Sequence, residues 1–267
     1  MSAPLRLGVL GDPLRYTRSP ELHRAALAAL GLEGSSEALR TPLDALGGRL
    51  QRLATEGWRG VNLTHPLKEA ALAHVAVATT RAARSRSVNT ITFDREWEGD
   101  TTDGLGMLDL LRQLDREPAT SRVLLYGAGG AARSLALALL EDGAEVTFAA
   151  RDPGPAAAAW EGPPCTWATW RGEDERRALE RATVVVNATP LPGEQACPVA
   201  SLPPGALAID LVYGAQPTDW VRAARAAGRE AWDGLGLLVH QARHSLERWT
   251  GRAVPIQALA DAVGWPR

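Results

Sequence analysis

Two periodicities organise the apolar residues of this chain. Short apolar runs bounded by turn residues read as strands at 5–10, 60–64 and 88–93, and again at 122–126, 145–150, 183–187 and 206–212. Between them, apolar residues recur at helical spacing. Leu22, Ala26 and Leu30 mark a helix that Ser19 would cap, Pro20 would open and Gly31 would end. Pro66 opens a further helix, and Leu105, Leu108, Leu111 and Leu114 predict an amphipathic helix at 105–116 that bridges to the second half of the chain. Helices at 131–142, 221–227 and 237–249 complete the pattern, the last preceded by a break at Gly234-Leu235-Gly236. The Pro- and Ala-rich stretch 153–164 reads as a surface loop or a short helix. From Ser121 onward strand and helix alternate, which predicts a parallel sheet covered by helices and an α/β fold class.

Composition narrows the function. With 267 residues, two domains are expected. A net charge of −2 points to neither nucleic acid nor an anionic membrane as partner, and small molecules remain. The longest apolar runs, 183–186 and 206–212, are too short to span a bilayer. The first residues run directly into a strand pattern without a signal-peptide core, so a cytoplasmic protein is expected. Cys165 and Cys197 fit neither a disulfide framework nor metal-ligand spacing, and His65, His240 and His244 show no ligand pattern, so no metal is expected.

One residue stands out. Of the 29 basic side chains only Lys68 is a lysine, and only three asparagines occur, Asn62, Asn89 and Asn187. Phe, Tyr, Ile and Met are also scarce, as in the product of a G/C-rich gene where Arg has replaced Lys wherever positive charge sufficed. An ammonium can release a proton in a suitable environment and a guanidinium cannot, so Lys68 is a candidate proton donor. The alternative is chance survival at a solvated helix position.

Gly127-Ala128-Gly129-Gly130-Ala131-Ala132 follows one predicted strand and opens one predicted helix, the context of a dinucleotide site. The first glycine permits the tight turn, the second permits close approach to a pyrophosphate, and the helix N-terminus faces the phosphates. The next strand ends in Arg151-Asp152. Arginine there suits the 2′-phosphate of NADP and an acid suits the ribose diol of NAD, so both cofactors stay open at this point.

Several segments, in order, resemble the motifs of shikimate dehydrogenases. They are Gly11-Asp12-Pro13, Thr17-Arg18-Ser19-Pro20-Glu21-Leu22-His23, Asn62-Leu63-Thr64-His65-Pro66-Leu67-Lys68, Ser87-Val88-Asn89-Thr90 and Gly99-Asp100-Thr101-Thr102-Asp103-Gly104. Asn187-Ala188-Thr189-Pro190, Asp210-Leu211-Val212-Tyr213, the stretch from Gly234 to Ala242 and Trp249-Thr250-Gly251 follow. The resemblance covers essentially the whole chain. It implies a substrate domain of 1–103 completed by the C-terminal helix at 237–267, a Rossmann-like NADP domain at 104–236, and an active site in the cleft between them. The implied activity is NADPH-dependent, reversible reduction of 3-dehydroshikimate to shikimate in aromatic amino acid biosynthesis, by a monomer or homodimer. A quinate/shikimate dehydrogenase using NAD and a catalytically weak dinucleotide-binding paralogue are the alternatives.

The same resemblance distributes roles. Lys68 and Asp103 would be catalytic, since a ketone reduction needs a proton donor at the carbonyl oxygen. Thr17 and Ser19 would donate hydroxyls to a substrate carboxylate, and Asn62, Thr64, Asn89, Tyr213 and Gln241 would complete the substrate set. Gly127, Ala128, Gly129, Gly130, Ala131, Arg151, Asp152, Asn187, Thr189, Leu211 and Gly234 would hold the cofactor. Structural alternatives stand beside these: helix caps for Ser19 and Asp103, loop ties for Asn62 and Asn89, a packing ring for Tyr213, a helix break for Gly234. The chain departs from the family at Tyr16-Thr17 (usually His-Ser), Thr101 (Asn), Ala150-Arg151-Asp152 (Asn-Arg-Thr) and Leu237 (Met). NADP is expected, with NAD used less well.

Overall fold

A computed structural model describes residues 3–14 and 16–267. The chain forms two compact units, Met1–Gly106 with Leu238–Pro266, and Met107–Leu237 with Arg267.

The first unit carries strands β1 (Leu5–Gly11), β2 (Gly34–Arg40), β3 (Gly60–Leu63), β4 (Val77–Ala78), β5 (Thr90–Thr92) and β6 (Glu98–Asp100). Helices α1 (Ser19–Ala29), α2 (Leu46–Thr55), α3 (Leu67–Ala70) and α4 (Thr80–Ser85) alternate with them. Helix α5 (Asp103–Gln113) leaves this unit, and α11 (Leu235–Thr250) and α12 (Ile256–Val263) return to it. The sheet order is β2-β1-β3-β5-β6-β4. Central β1 and β3 pair in parallel and are buried, which explains their apolar runs. Strand β5 runs antiparallel to β3 and β6. Leu46, Leu50, Leu53, Val61, Leu67, Val88 and Ile91 fill the core on one face.

The second unit has strands β7 (Arg122–Tyr126), β8 (Glu145–Ala150), β9 (Thr166–Thr169), β10 (Val184–Asn187), β11 (Leu207–Asp210) and β12 (Ala231–Asp233). Its helices are α6 (Gly130–Glu141), α7 (Pro153–Ala158), α8 (Glu173–Arg181), α9 (Gly193–Ala196) and α10 (Asp219–Ala226). All strand pairs are parallel, in the order β12-β11-β10-β7-β8-β9. This is the doubly wound arrangement, and its connections reverse between β7 and β10. Ligands of such sheets bind at the strand C-termini around that reversal.

The structure corrects several expected boundaries. Ser19 does not cap α1. The Arg18 carbonyl already accepts the Glu21 and Leu22 amides at 3.1 and 3.2 Å, so Arg18 is the cap residue and Ser19 the first helical residue. Helix α5 starts at Asp103 rather than 105, because the Thr102 carbonyl accepts the Gly106 amide at 2.9 Å. It ends at Gln113, just before Asp115 turns left-handed. The helix expected at 237–249 is α11, but the single C-terminal helix at 237–267 that the resemblance implied is two, α11 and α12, separated where Gly251 takes a positive φ and Pro255 precedes α12. Strand β2 was not expected at all. It is an edge strand whose side chains are mostly exposed and polar, so no apolar rhythm marks it.

Gly106 packs so tightly that an added Cβ would lie 2.7 Å from the Gln241 amide nitrogen and 3.0 Å from its Cα. Gly106→Ala should therefore lower stability by about 1–3 kcal/mol through overpacking. Gly48→Ala, in α2 with nothing within 4 Å of the new methyl, should raise it by about 0.5–1 kcal/mol. Urea unfolding midpoints of the two variants should move in opposite directions.

Candidate active site

Leu67 is fully buried and pins the short helix α3, which leaves Lys68 half-buried beside it. The Lys68 carbonyl accepts the Val88 amide at 2.8 Å, tying α3 to the segment that leads into β5. Lys68 Nζ donates to Asp103 Oδ2 at 2.6 Å. Asp103 is 5% exposed, and its other oxygen accepts Asn89 Nδ2 at 2.8 Å. A second anchor holds the chain just upstream. The buried Asp100 carboxylate accepts Arg81 Nη2 at 2.5 Å, Thr79 Oγ1 at 2.6 Å and Arg248 Nη1 at 3.1 Å.

Asn89 is the hub of this unit. Its Oδ1 accepts the Thr102 amide at 2.9 Å and Thr90 Oγ1 at 2.8 Å, and its Nδ2 also reaches Thr102 Oγ1 and Gln241 Oε1. Gln241 Oε1 also accepts Thr102 Oγ1 at 3.2 Å, and Gln241 Nε2 donates to the Leu238 carbonyl. Asn62 lies deeper. Its Nδ2 lies 3.0 Å from each of the Asn89 carbonyl, Thr90 Oγ1 and Ser245 Oγ. The carbonyl can only accept, so the amide nitrogen must face this group and Asn62 Oδ1 must face His23 Nε2, 3.0 Å away. His23 Nε2 therefore carries the proton, and its bare Nδ1 accepts from Ser36 Oγ at 2.8 Å. Trp249 packs edge-on against the His23 ring at 5.3 Å. Burial pushes the His23 imidazolium down to about 4, partly opposed by the Asn62 bond.

The loop after β1 brings Thr17 and Ser19 together. Thr17 Oγ1 lies 3.2 Å from Ser19 Oγ and accepts the Ser19 amide at 3.3 Å. Thr64, half-buried, turns the chain from β3 into α3, its amide on the Leu10 carbonyl and its carbonyl accepting Leu67. The structure thus joins Asn62, Asn89, Gln241, Asp103 and Lys68 in one hydrogen-bonded set, with Thr17, Ser19 and Thr64 on adjoining loops of the same unit. Asn62 and Asn89 do tie loops, yet Asn89 also bonds the Asp103 carboxylate directly. Sequence reasoning assigned no role to His23, Thr90, Thr102 and Ser245. Spacing marks two of them, since His23 follows Ser19, and Ser245 follows Gln241, by four residues on one helix face.

In the second unit, Gly127 adopts φ +102°, and a Cβ there would also press within 3.1 Å of the Ala188 carbonyl. The turn Gly127-Ala128-Gly129 leads into α6, which starts at Gly130, so Gly130 is helical, as Ala131 was expected to be, rather than part of the turn. Gly129 caps α6 without any side-chain hydrogen bond, whereas Thr79, Asp152 and Thr218 cap their helices with side-chain oxygens. The uncapped first turn fits a pyrophosphate. Asp152 Oδ1 accepts the Gly154 amide at 3.2 Å as the cap of α7, while Arg151 is exposed at the end of β8. Asn187 and Thr189 bond each other at 2.7 Å, and Asn187 Nδ2 donates to Asp210 at 3.0 Å. Burial pushes the Asp210 carboxyl up, opposed by donors from Thr218, Val212 and Asn187. Leu211 and Gly234 touch, since a side chain on Gly234 would overlap the Leu211 carbonyl. Tyr213 lies half-buried in the loop after β11, within the second unit. Among the described residues no cluster of His, Cys, Asp and Glu could hold a metal, both cysteines are free, and no helix is long and apolar enough to cross a membrane.

A doubly wound parallel sheet with a glycine turn at its switch point, and a buried lysine–carboxylate pair in the other unit, are the features of an α/β dehydrogenase. A family model described as the shikimate dehydrogenase substrate binding domain matches residues 9–91, and one described as the shikimate 5′-dehydrogenase C-terminal domain matches 234–263. The chain is 40% identical to shikimate dehydrogenase (NADP(+)) of Rhodospirillum rubrum, over 96% of this chain and 95% of that one. It is also 40% identical to a Thermus thermophilus protein of the same name, over 97% of each. The crystal structure of shikimate 5-dehydrogenase from Thermus thermophilus in complex with NADP(H) and shikimate superposes with a TM-score of 0.86 at 38% identity, covering 97% of this chain and 98% of that one. The chain belongs to the shikimate dehydrogenase family.

The buried His23 sets a pH dependence. Its imidazolium is disfavoured in the fold, where it titrates at about 4, against an ordinary value of 6.5. Protonation therefore favours the unfolded chain between those values. The contribution of neutral His23 is complete above about pH 6.5 and is lost as pH falls towards 4, about 3 kcal/mol in all. Urea midpoints between pH 7 and 4.5 should fall more steeply for wild type than for His23→Gln, which has no titrating ring.

Proposed function

We propose that this chain catalyses the reversible, NADPH-dependent reduction of 3-dehydroshikimate to shikimate, a step of aromatic amino acid biosynthesis, as a cytoplasmic enzyme. The observation that carries this reading is the 2.6 Å bond between Lys68 Nζ and the buried Asp103 carboxylate. Bound NADPH supplies a hydride to the carbonyl carbon of the substrate. The developing alkoxide takes a proton from the Lys68 ammonium, the only lysine of the chain. Asp103 fixes the direction of that ammonium and accepts from the substrate hydroxyl, while Asn89 holds the carboxylate in place through its second oxygen. Thr17 and Ser19 supply hydroxyl donors for the substrate carboxylate. Asn62, Thr64, Gln241 and Tyr213 complete the substrate set on the strength of the family motifs they match. The turn at Gly127, Ala128 and Gly129 with Gly130 and Ala131 of α6 would hold the pyrophosphate, with Asn187, Thr189, Leu211 and Gly234 on the nicotinamide side.

For the cofactor, Arg151 is an exposed cation suited to a 2′-phosphate, while Asp152 spends an oxygen on capping α7. An Asp152 held in this way gives no particular support to an NAD-using, quinate-type enzyme. The Lys68–Asp103 pair likewise speaks against a catalytically weak paralogue, which needs no proton donor.

Lys68→Arg keeps charge without a transferable proton, and Lys68→Ala loses both. Each should lower kcat by about 10²–10⁴-fold in shikimate oxidation followed at the nicotinamide absorbance band. Near-normal turnover of Lys68→Arg would overturn the assignment. With the same assay, Arg151→Ala should raise KM for NADP by roughly tenfold or more and leave KM for NAD nearly unchanged, because it removes a charge-assisted contact to a group that only NADP carries.

A further inference from the structure

We infer that His23 is a positioning residue that holds the carboxylate-binding end of the substrate site in register with its proton-transfer end. The inference rests on the function proposed above and adds a residue to which the reaction itself assigns no chemistry.

The two ends sit on different elements of the first unit. Thr17 and Ser19 belong to the start of α1, and Lys68 and Asp103 belong to the starts of α3 and α5. A ligand that spans both requires α1 to be fixed against β3 and β5. Residues four apart lie on one face of a helix, so His23 sits one turn below Ser19, and both are buried. The His23 ring reaches from α1 to two strands: Nδ1 meets Ser36 of β2 at 2.8 Å and Nε2 meets Asn62 of β3 at 3.0 Å. From Asn62 the bonds continue without a gap. Asn62 Nδ2 contacts Thr90 Oγ1, Thr90 Oγ1 donates to Asn89 Oδ1, and Asn89 Nδ2 donates to Asp103 Oδ1.

Direction matters as much as distance. Asn62 Oδ1 presents only lone pairs, so the group facing it must donate, and the ring nitrogen facing Ser36 must accept or be met by a rotatable hydroxyl. Neutral histidine meets both demands with a rigid ring. An apolar residue of similar size fills the space and leaves Asn62 Oδ1 without its donor. The Asn62 amide, still held on its nitrogen side, then loses its bond to α1, and with it goes the constraint that sets α1 relative to the Asn89–Asp103 pair. Glutamine can restore both functions, since its NH₂ donates and its carbonyl accepts.

A residue that only supports the fold would weaken all substrates alike. A residue that keeps two ends in register should matter most for a substrate that uses both. The test compares kcat/KM for shikimate with that for shikimate methyl ester, which lacks the carboxylate charge, both with saturating NADP. In His23→Leu, or His23→Met should the leucine variant not fold, the acid-to-ester preference should fall by roughly tenfold or more relative to wild type, as expected when alignment rather than contact is lost. KM for NADP should hardly change, and His23→Gln should recover most of the preference. A folded apolar variant with the wild-type preference overturns the positioning role, as does a glutamine variant no better than the apolar one. A wild-type protein that oxidises no shikimate overturns the proposed function, and the inference with it.

Discussion

Burying the Asp103 carboxylate constrains the whole of the first unit. A carboxylate removed from water costs several kcal/mol unless donors replace the lost hydration. Here each oxygen has its own donor, Lys68 Nζ on one and Asn89 Nδ2 on the other. Neither donor stands alone. Asn89 keeps its nitrogen towards Asp103 only because its oxygen is occupied by the Thr102 amide and the Thr90 hydroxyl. Lys68 is placed by a four-residue helix whose neighbour Leu67 is fully buried. The apolar core therefore sets the position of the lysine, and a polar network sets the position of its partner.

That network is costly to leave half made. Buried amides and hydroxyls stabilise a fold when every donor meets an acceptor and destabilise it when one does not. Asn62, Thr90, Asn89, Thr102, Gln241 and Ser245 satisfy one another across β3, β5 and α11 and the segments that lead into β5 and α5. The buried Asp100, paired with the partly exposed Arg81 and Arg248, holds the chain just ahead of Thr102 and Asp103, so the segment that delivers the carboxylate is restrained from both sides. Rigidity of this kind would suit the proposed proton transfer, whose rate depends on donor and acceptor meeting within hydrogen-bond reach.

The second unit works by the opposite rule. Its glycine turn leads straight into α6, whose first turn has no side-chain cap. Backbone donors and the helix dipole stay available for an anion. Asp210 instead gathers its own donors from Asn187, Thr218 and the Val212 amide, which braces the loops after β10 and β11.

Much of this was legible in the chain itself. Alternating strand and helix signals from Ser121 implied a parallel sheet, and the glycine turn between them implied a dinucleotide site. A lone lysine among arginines singled out Lys68, which the structure places 2.6 Å from the Asp103 carboxylate. These are local signals, since apolar rhythm and side-chain chemistry act over a few neighbouring residues. The edge strand β2 was silent, because a polar strand acquires its structure only from the partner β1 that it pairs with. The same holds for the partners of the site. Nothing in the neighbourhood of His23, Thr102 or Ser245 reveals that residues up to 222 positions apart, from His23 to Ser245, share one network, because hydrogen bonds between buried side chains exist only once separate elements pack. Asp152 is placed locally instead, since its Oδ1 accepts the amide of Gly154, two residues on, at 3.2 Å as the cap of α7. The sequence by itself determined which chemistry the chain carries, because that lies in the residue types. Only the packing of α1, β3, β5 and α11 decided which of those residues meet, because contact between distant positions is a property of the folded chain.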